Sequence, residues 1–281
     1  MTIIPPFHLL PSNSNAGHLS PNLRRQIIRG YGRNYRLVAA RNSPTFGGLL
    51  LVVDAPGAIR YLCSIGRDGR ILSQSAVDRL HRQRLIFPHE RLLAFPFTHK
   101  TESALLLGLG GGDLVRHIAH HFSNCALTIV EKDPLVELLA RRYFFIRQPI
   151  LTGDALVYLA SAARTYDVIV VDLYDGGGLF RDAPSLWKRA IASLNPWGWL
   201  AVNWAEFSGN QEIRRRAERL ATLAMTNIYL KAASESDNLI QLVSPSRMTV
   251  DDAKRQLRSG SDPLRTSDPL NNCYFDTSYP A

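Results

Sequence analysis

Between Ala104 and Trp204, strand-sized apolar runs alternate with segments of helical period, and no other feature restricts the fold as much. ALLLG leads into DLVRHIAHHF, where Leu114, Val115, Ile118 and Ala119 fall on one helical face. ALTIVEKD leads into PLVELLARRYF, which opens on Pro134, a favoured first-turn residue. PILTGD precedes ALVYLASAA, YDVIVVDLYD precedes SLWKRAIASL, and GWLAVNW closes the series. Residues 104–107 and 168–171 are apolar throughout, as strands covered on both faces must be. The fold class expected is α/β, a doubly wound and mostly parallel sheet with helices on both sides.

The rest of the chain is arranged around this block. Residues 1–30 are rich in Pro, Asn and Ser, then in arginine, and read as a loose leader. Residues 31–100 carry the β-like runs YRLVAA, GGLLLVVD, AIRYLCSI and GRILS, with the turn pair Asp68-Gly69 before the last. A small antiparallel β-domain is expected there. A helical pattern over 76–95, kinked or ended by Pro88, connects it to the main block. Residues 101–244 hold the strand–helix series, a basic helix over 211–224, and a terminal hairpin of TNIYLKAA and DNLIQLVS around SESD. Residues 245–281 form a polar tail.

In an open parallel sheet, ligands sit beyond the carboxyl ends of the strands. The first strand runs into GLGGGD. Gly108 and Gly110 match the first glycines of the Rossmann dinucleotide fingerprint, but Asp113 occupies the third position, where an acid repels a pyrophosphate. The loop suits a ligand without phosphate and with positive character. Glu131 ends the second strand, either accepting both hydroxyls of a ribose or standing as a solvated acid before the helix start Asp133-Pro134. Asp154 follows the third strand, either as an acceptor for an adenine amino group or as a helix N-cap. Asp172 and Asp175 end the fourth, suited to binding a cation or taking a proton from an amine; the plainer reading is turn chemistry beside Gly176–Gly178. Together these acids converge on one crevice and describe a sulfonium nucleoside, S-adenosylmethionine or its decarboxylated form.

Composition bounds the remaining possibilities. The chain has 281 residues, 46% hydrophobic and 20% charged, ordinary for a folded protein with a sizeable core. No apolar run approaches the roughly 18–20 residues of a membrane helix, and the N-terminus lacks the basic region of a signal peptide. Cys63, Cys125 and Cys273 are scattered, without metal-ligand spacing or a disulfide framework, so a cytoplasmic location is expected. The net charge of +9 is spread over arginines such as Arg24, Arg33 and Arg214, which reads as solvated surface before it reads as a nucleic-acid footprint. His117 and His121 have i, i+4 spacing but no third ligand in view, so no metal is expected.

The ordered series GLGGGD, IVEKDPLVELLARRYF, GDALVYL and YDVIVVDLYD resembles the polyamine aminopropyltransferase family, the spermidine synthases, in its divergent spermidine synthase-like branch. The resemblance covers roughly residues 45–205. PHERLLAFPF resembles the family's Tyr-His/Gln-Glu…Pro segment, and Gln74 in ILSQS its nucleoside-contacting Gln. This likeness implies a Rossmann-like sheet of the class I methyltransferase type. It also implies metal-independent transfer of an aminopropyl group from decarboxylated S-adenosylmethionine to a small-molecule amine, and a homodimer or larger assembly. It assigns Gln74, Gly108, Gly110, Gly111, Glu131 and Asp154 to the nucleoside, with Glu131 at the ribose and Asp154 at the adenine. Asp172 becomes the base or orienting group for the attacking amine, and Asp175 helps to bind it. Two positions depart from the pattern. Gly111 stands where the family's loop Asp grips the aminopropyl ammonium and rejects the carboxylate of S-adenosylmethionine, and Pro88 replaces a substrate-pocket Tyr. Two other readings therefore stay open: an S-adenosylmethionine-dependent methyltransferase, and a nucleoside-binding protein without catalysis.

Overall fold

The structure, a computed structural model, describes residues 20–43, 45, 47–66, 69–174, 184–205, 210–231, 237–249, 251, 252 and 255. It opens with helix α1 (Pro21–Tyr31), started by Ser20, whose hydroxyl accepts from the Leu23 N–H, and by Pro21 in the first turn. The loose leader expected over residues 1–30 is corrected from Pro21 onward, and residues 1–19 of it lie outside the described residues. Ile27 is fully buried with Leu51, Val53 and Cys63, and this apolar contact holds the arginine-rich segment as a helix.

Strands β1 (Arg36–Asn42), β2 (Leu49–Asp54), β3 (Ile59–Ile65) and β4 (Ile71–Asp78) form the expected antiparallel sheet, in sequence order. Alternation along β2 sends Leu51 and Val53 towards α1, and Leu50 and Val52 towards the main body. Leu62 pairs with Ser75 but Cys63 pairs with Ser73, so Gln74 is the extra residue of a β-bulge. Gly69 of the predicted turn has φ +73°, whereas Asp68 lies outside the described residues. The helix expected over 76–95 is also corrected. β4 continues to Asp78, Leu80 is 76% exposed, and only α2 (Pro88–Leu93) is helical. Pro88 begins this helix instead of breaking it, since a first-turn residue needs no N–H.

The main body is a seven-stranded sheet. β5 (Ser103–Leu107), β6 (Ala126–Glu131), β7 (Leu151–Thr152), β8 (Tyr166–Val171) and β9 (Leu194–Trp204) pair in parallel. β10 (Thr226–Lys231) and β11 (Leu239–Ser244) form the terminal hairpin, with β11 antiparallel to β9, giving the order β10-β11-β9-β8-β5-β6-β7. Ala104 and Leu106 of β5 pack with α2, α3 (Asp113–His121) and α4 (Pro134–Tyr143) on one face. Leu105 and Leu107 pack with α5 (Ala155–Ser161), α6 (Pro184–Ala192) and α7 (Gln211–Ala221) on the other. The first of these cores also takes in Leu50, Val52, Leu62 and Val77, so the two sheets share a core across the boundary near residue 100.

The chain winds outward from β5 to β6 and β7, then returns to β8 on the other side of β5. This reversal opens a crevice at the carboxyl ends of β5 and β8. Among the described residues, no helix is long and apolar enough to cross a membrane.

Candidate functional site

Gly108 lies in that crevice. Its φ is +100°, and a Cβ there would collide with the carbonyl oxygen of Asp172, so only glycine lets the β5 loop and the β8 end approach this closely. The loop borders a cavity of about 590 Å³, also lined by Gln74, Gly110, Glu131, Asp154 and Asp172. Six of the eight residues singled out from the sequence therefore meet around one space. Gly111 does not line it, and Asp175 lies outside the described residues.

The acids along the strand ends are held differently. Glu131 accepts from the Leu109 N–H at 2.9 Å with one oxygen and from the Asp133 N–H at 2.8 Å with the other. Burial pushes its carboxyl above the usual range, against the pull of these N–H groups. The Lys132 backbone N–H reaches the same carboxyl, and the group borders the cavity, where a remaining lone pair can accept a hydroxyl. Asp154 caps α5, accepting from Leu156 N at 2.9 Å and Val157 N at 3.4 Å, and pairs with Lys132 at 3.2 Å. Burial pushes it up, but Lys132 and the two N–H groups outweigh that and hold it below the usual carboxylate range. The N-cap role is thus real, and the same carboxylate borders the cavity. Asp172 is exposed to the cavity, and its Oδ1 accepts from Asn203 Nδ2 at 2.8 Å. Asn203 Oδ1 accepts in turn from Asn238 Nδ2 at 2.8 Å. That second bond fixes which way the Asn203 amide points and leaves Asp172 Oδ2 free of it.

The opposite wall joins the two sheets. Gly111 N–H donates to Ser75 Oγ at 2.7 Å, and a Cβ at Gly111 would meet Ser75 Cβ at 2.9 Å and Phe144 Cδ1 at 3.0 Å. Position 111 is therefore packed against its surroundings. Asp113 accepts from the Ala76 N–H at 2.8 Å and pairs with Arg116, which also donates to the carbonyls of Gly111 (2.6 Å) and Phe144 (2.8 Å). Asp113 also hydrogen-bonds the carboxyl of Glu90, which accepts from Phe87 N–H at 3.2 Å. Burial, together with Asp113, drives Glu90 well above its usual range. His89 lies within reach of the Asp172 and Asp113 charges, but burial outweighs them and lowers its imidazole.

Sequence reasoning missed His89, Glu90, Ser75, Asn203 and Asn238 as individual site residues. Asn203 carried a readable signal, a polar residue near the carboxyl end of an apolar strand. Glu90 carried one only through the PHER segment, and Asn238 carried none, because a C-terminal hairpin delivers it. His117 and His121 have ring centroids 4.5 Å apart, and His117 Nδ1 meets the Gln83 carbonyl at 3.0 Å. Among the described residues, no group of three or more His, Cys, Asp or Glu is arranged to hold a metal.

No family model matches the chain. The polyamine aminopropyltransferase of Vibrio vulnificus (strain CMCP6) is 36% identical over 103 residues, 34% of this chain and 34% of that protein. That of Moorella thermoacetica is 32% identical over 165 residues, 54% of this chain and 58% of the relative. Over these segments the chain is similar to polyamine aminopropyltransferases. It spans about a third of the first relative's length and 58% of the second's. Spermidine synthase from Thermotoga maritima superposes with a TM-score of 0.65 at 16% identity, over 87% of this chain and 85% of that one. This likeness establishes the Rossmann-like fold with its small antiparallel sheet.

Proposed function

We propose that the chain is a spermidine synthase-like aminopropyltransferase that takes its aminopropyl group from decarboxylated S-adenosylmethionine. The observation that carries this reading is the gathering of Glu131, Asp154 and Asp172, with Gln74 facing them, around one cavity of a chain whose net charge is +9. Acids concentrated against the overall charge suit a cationic nucleoside and an amine. Glu131 holds the ribose, Asp154 accepts from the adenine amino group, and Gln74 in its bulge contacts the nucleoside. The acceptor nitrogen attacks the carbon bonded to sulfur, the C–S bond breaks, and methylthioadenosine leaves. The proton released by the amine goes to Asp172 Oδ2, the oxygen that the Asn203 amide leaves open. The sulfonium is already a good leaving group, so the protein's contribution is positioning and a base, worth up to about 7–11 kcal/mol of barrier and about 10²–10⁴-fold respectively. Asp175 is assigned to acceptor binding.

Incubation with decarboxylated S-adenosylmethionine and a panel of diamines, followed by mass spectrometry, tests the reading. Methylthioadenosine together with an aminopropylated amine is expected. A second reading is favoured by one observation: position 111 carries no acid and has no room for one. It predicts that S-adenosylmethionine is consumed and a methylated product formed. Neither product from either donor would leave a nucleoside-binding protein without catalysis.

A further inference from the structure

Glu90 and Asp113 are carboxyl groups hydrogen-bonded to one another, 5% and 4% exposed, and both border the cavity. Two carboxyls in that relation must share a proton. Asp113 pairs with the Arg116 guanidinium and accepts from the Ala76 N–H. Glu90 has no cation of its own among its described partners, only the Phe87 N–H. Burial and the neighbouring Asp113 raise Glu90, so it is the carboxyl of the pair that favours the proton, and it borders the cavity. The other charged or titratable groups around this wall are His89 on α2, Arg116 on α3, Asp172 after β8 and Asp237 before β11.

We propose that Glu90, backed by Asp113, is the subsite for a primary ammonium group of the ligand, and that the ammonium takes the place of the Glu90 proton. The inference rests on the functional reading above and deepens it, because it supplies the recognition that position 111 cannot. Before binding, the wall carries Asp113⁻, Arg116⁺ and neutral Glu90. An arriving R–NH₃⁺ next to these groups leaves a net positive charge in a buried site. Loss of the Glu90 proton to solvent cancels that charge, and the only bond that breaks is Glu90 O–H. A ligand carboxylate in the same place meets the two acids Glu90 and Asp113, so the same wall disfavours S-adenosylmethionine.

Two sources of ammonium exist, the aminopropyl end of the donor and the acceptor amine, and calorimetry in phosphate and Tris buffers near pH 7 separates them. Decarboxylated S-adenosylmethionine, methylthioadenosine, and putrescine added to the methylthioadenosine complex are the probes. If the subsite takes the donor end, the first binds with up to one proton released and the other two with none. If it takes the acceptor, putrescine releases the proton. Glu90→Gln, which can still donate to Asp113, should abolish the release and weaken the ammonium-bearing ligand about 10–100-fold, leaving methylthioadenosine affinity unchanged. Buffer-independent heats for every ligand that binds the wild type would overturn the proposal, as would release persisting in Glu90→Gln. If none of the three binds, the functional reading falls and takes this one with it. Binding without proton release sinks this inference alone.

Discussion

Asp54 and Glu90 are both buried carboxyls of the N-terminal half, and the protein treats them in opposite ways. Asp54, at the end of β2, pairs with Arg60 at 2.6 Å, Arg36 at 2.8 Å and Arg79 at 3.5 Å. Burial alone would raise it, but the arginines prevail and hold it below the usual carboxylate range. Arg60 also donates to the Tyr143 carbonyl at 3.0 Å, so this ion cluster ties the small sheet to α4. At the cavity, Glu131 is held by backbone N–H groups and Glu90 by one N–H and another acid, and both are raised. Where a carboxylate serves the fold, cations saturate it. Among the acids that border the cavity, Asp154 and Asp113 have a cation partner, whereas Glu131 and Glu90 are met by N–H groups or another acid and are raised.

The comparison makes acid-to-amide substitutions diverge by region. The largest effect is expected for Asp172→Asn, which keeps an oxygen to accept from Asn203. Transfer should fall about 10²–10⁴-fold, with the melting temperature and methylthioadenosine affinity nearly unchanged. Activity near that of the wild type would remove Asp172 as the base. Asp54→Asn should instead cost stability, about 3 kcal/mol at neutral pH, read by denaturant unfolding, without changing nucleoside affinity. Because the folded-state value of Asp54 is depressed, its stabilisation is present above the unfolded carboxyl range near pH 4 and is lost as pH falls through the folded value. The deficit of the variant should therefore shrink in acid; a deficit constant with pH would show that the arginine cluster is not its source.

Glu131→Ala should weaken methylthioadenosine by about 1.5–3 kcal/mol in calorimetry, and an unchanged affinity would end the ribose assignment. The smallest effect has the opposite sign. Burial and Asp113 raise Glu90 in the folded state, so the wild type loses stability as pH rises from the ordinary glutamate range through the raised folded value. Glu90→Gln should melt at or slightly above the wild type at pH 7–8, with the gain fading towards pH 4. A clear loss of stability at neutral pH would mean that Glu90, like Asp54, serves the fold.

The strand–helix alternation was readable because apolar period is a local property, and so were the glycine turn and the acids at the strand ends. α1 was not, since its arginines and polar neighbours hide a single buried position, Ile27, whose partners lie on other strands. The connecting helix was misread because Leu80, Leu85, Leu92 and Leu93 keep a helical rhythm across a stretch that begins as β4 and becomes helical only at Pro88. Gly111 was visible as a departure, but that the position has no room needed Ser75 and Phe144 beside it. The tight approach of Gly108 to Asp172 was equally invisible, as it depends on β5 and β8 lying side by side.

By itself the sequence determined the class of sheet, the edge at which a ligand sits, and acids placed one per strand end, because these follow from side-chain period and from the direction of each strand. Only the tertiary structure decided which carboxyls meet cations and which meet only N–H groups or another acid. A carboxyl's charge in a protein interior depends on the cations, N–H groups and other acids within a few ångströms, and here those neighbours come from distant parts of the chain. Arg36, Arg60 and Arg79 converge on Asp54, while Glu90 of α2 meets Asp113 of α3.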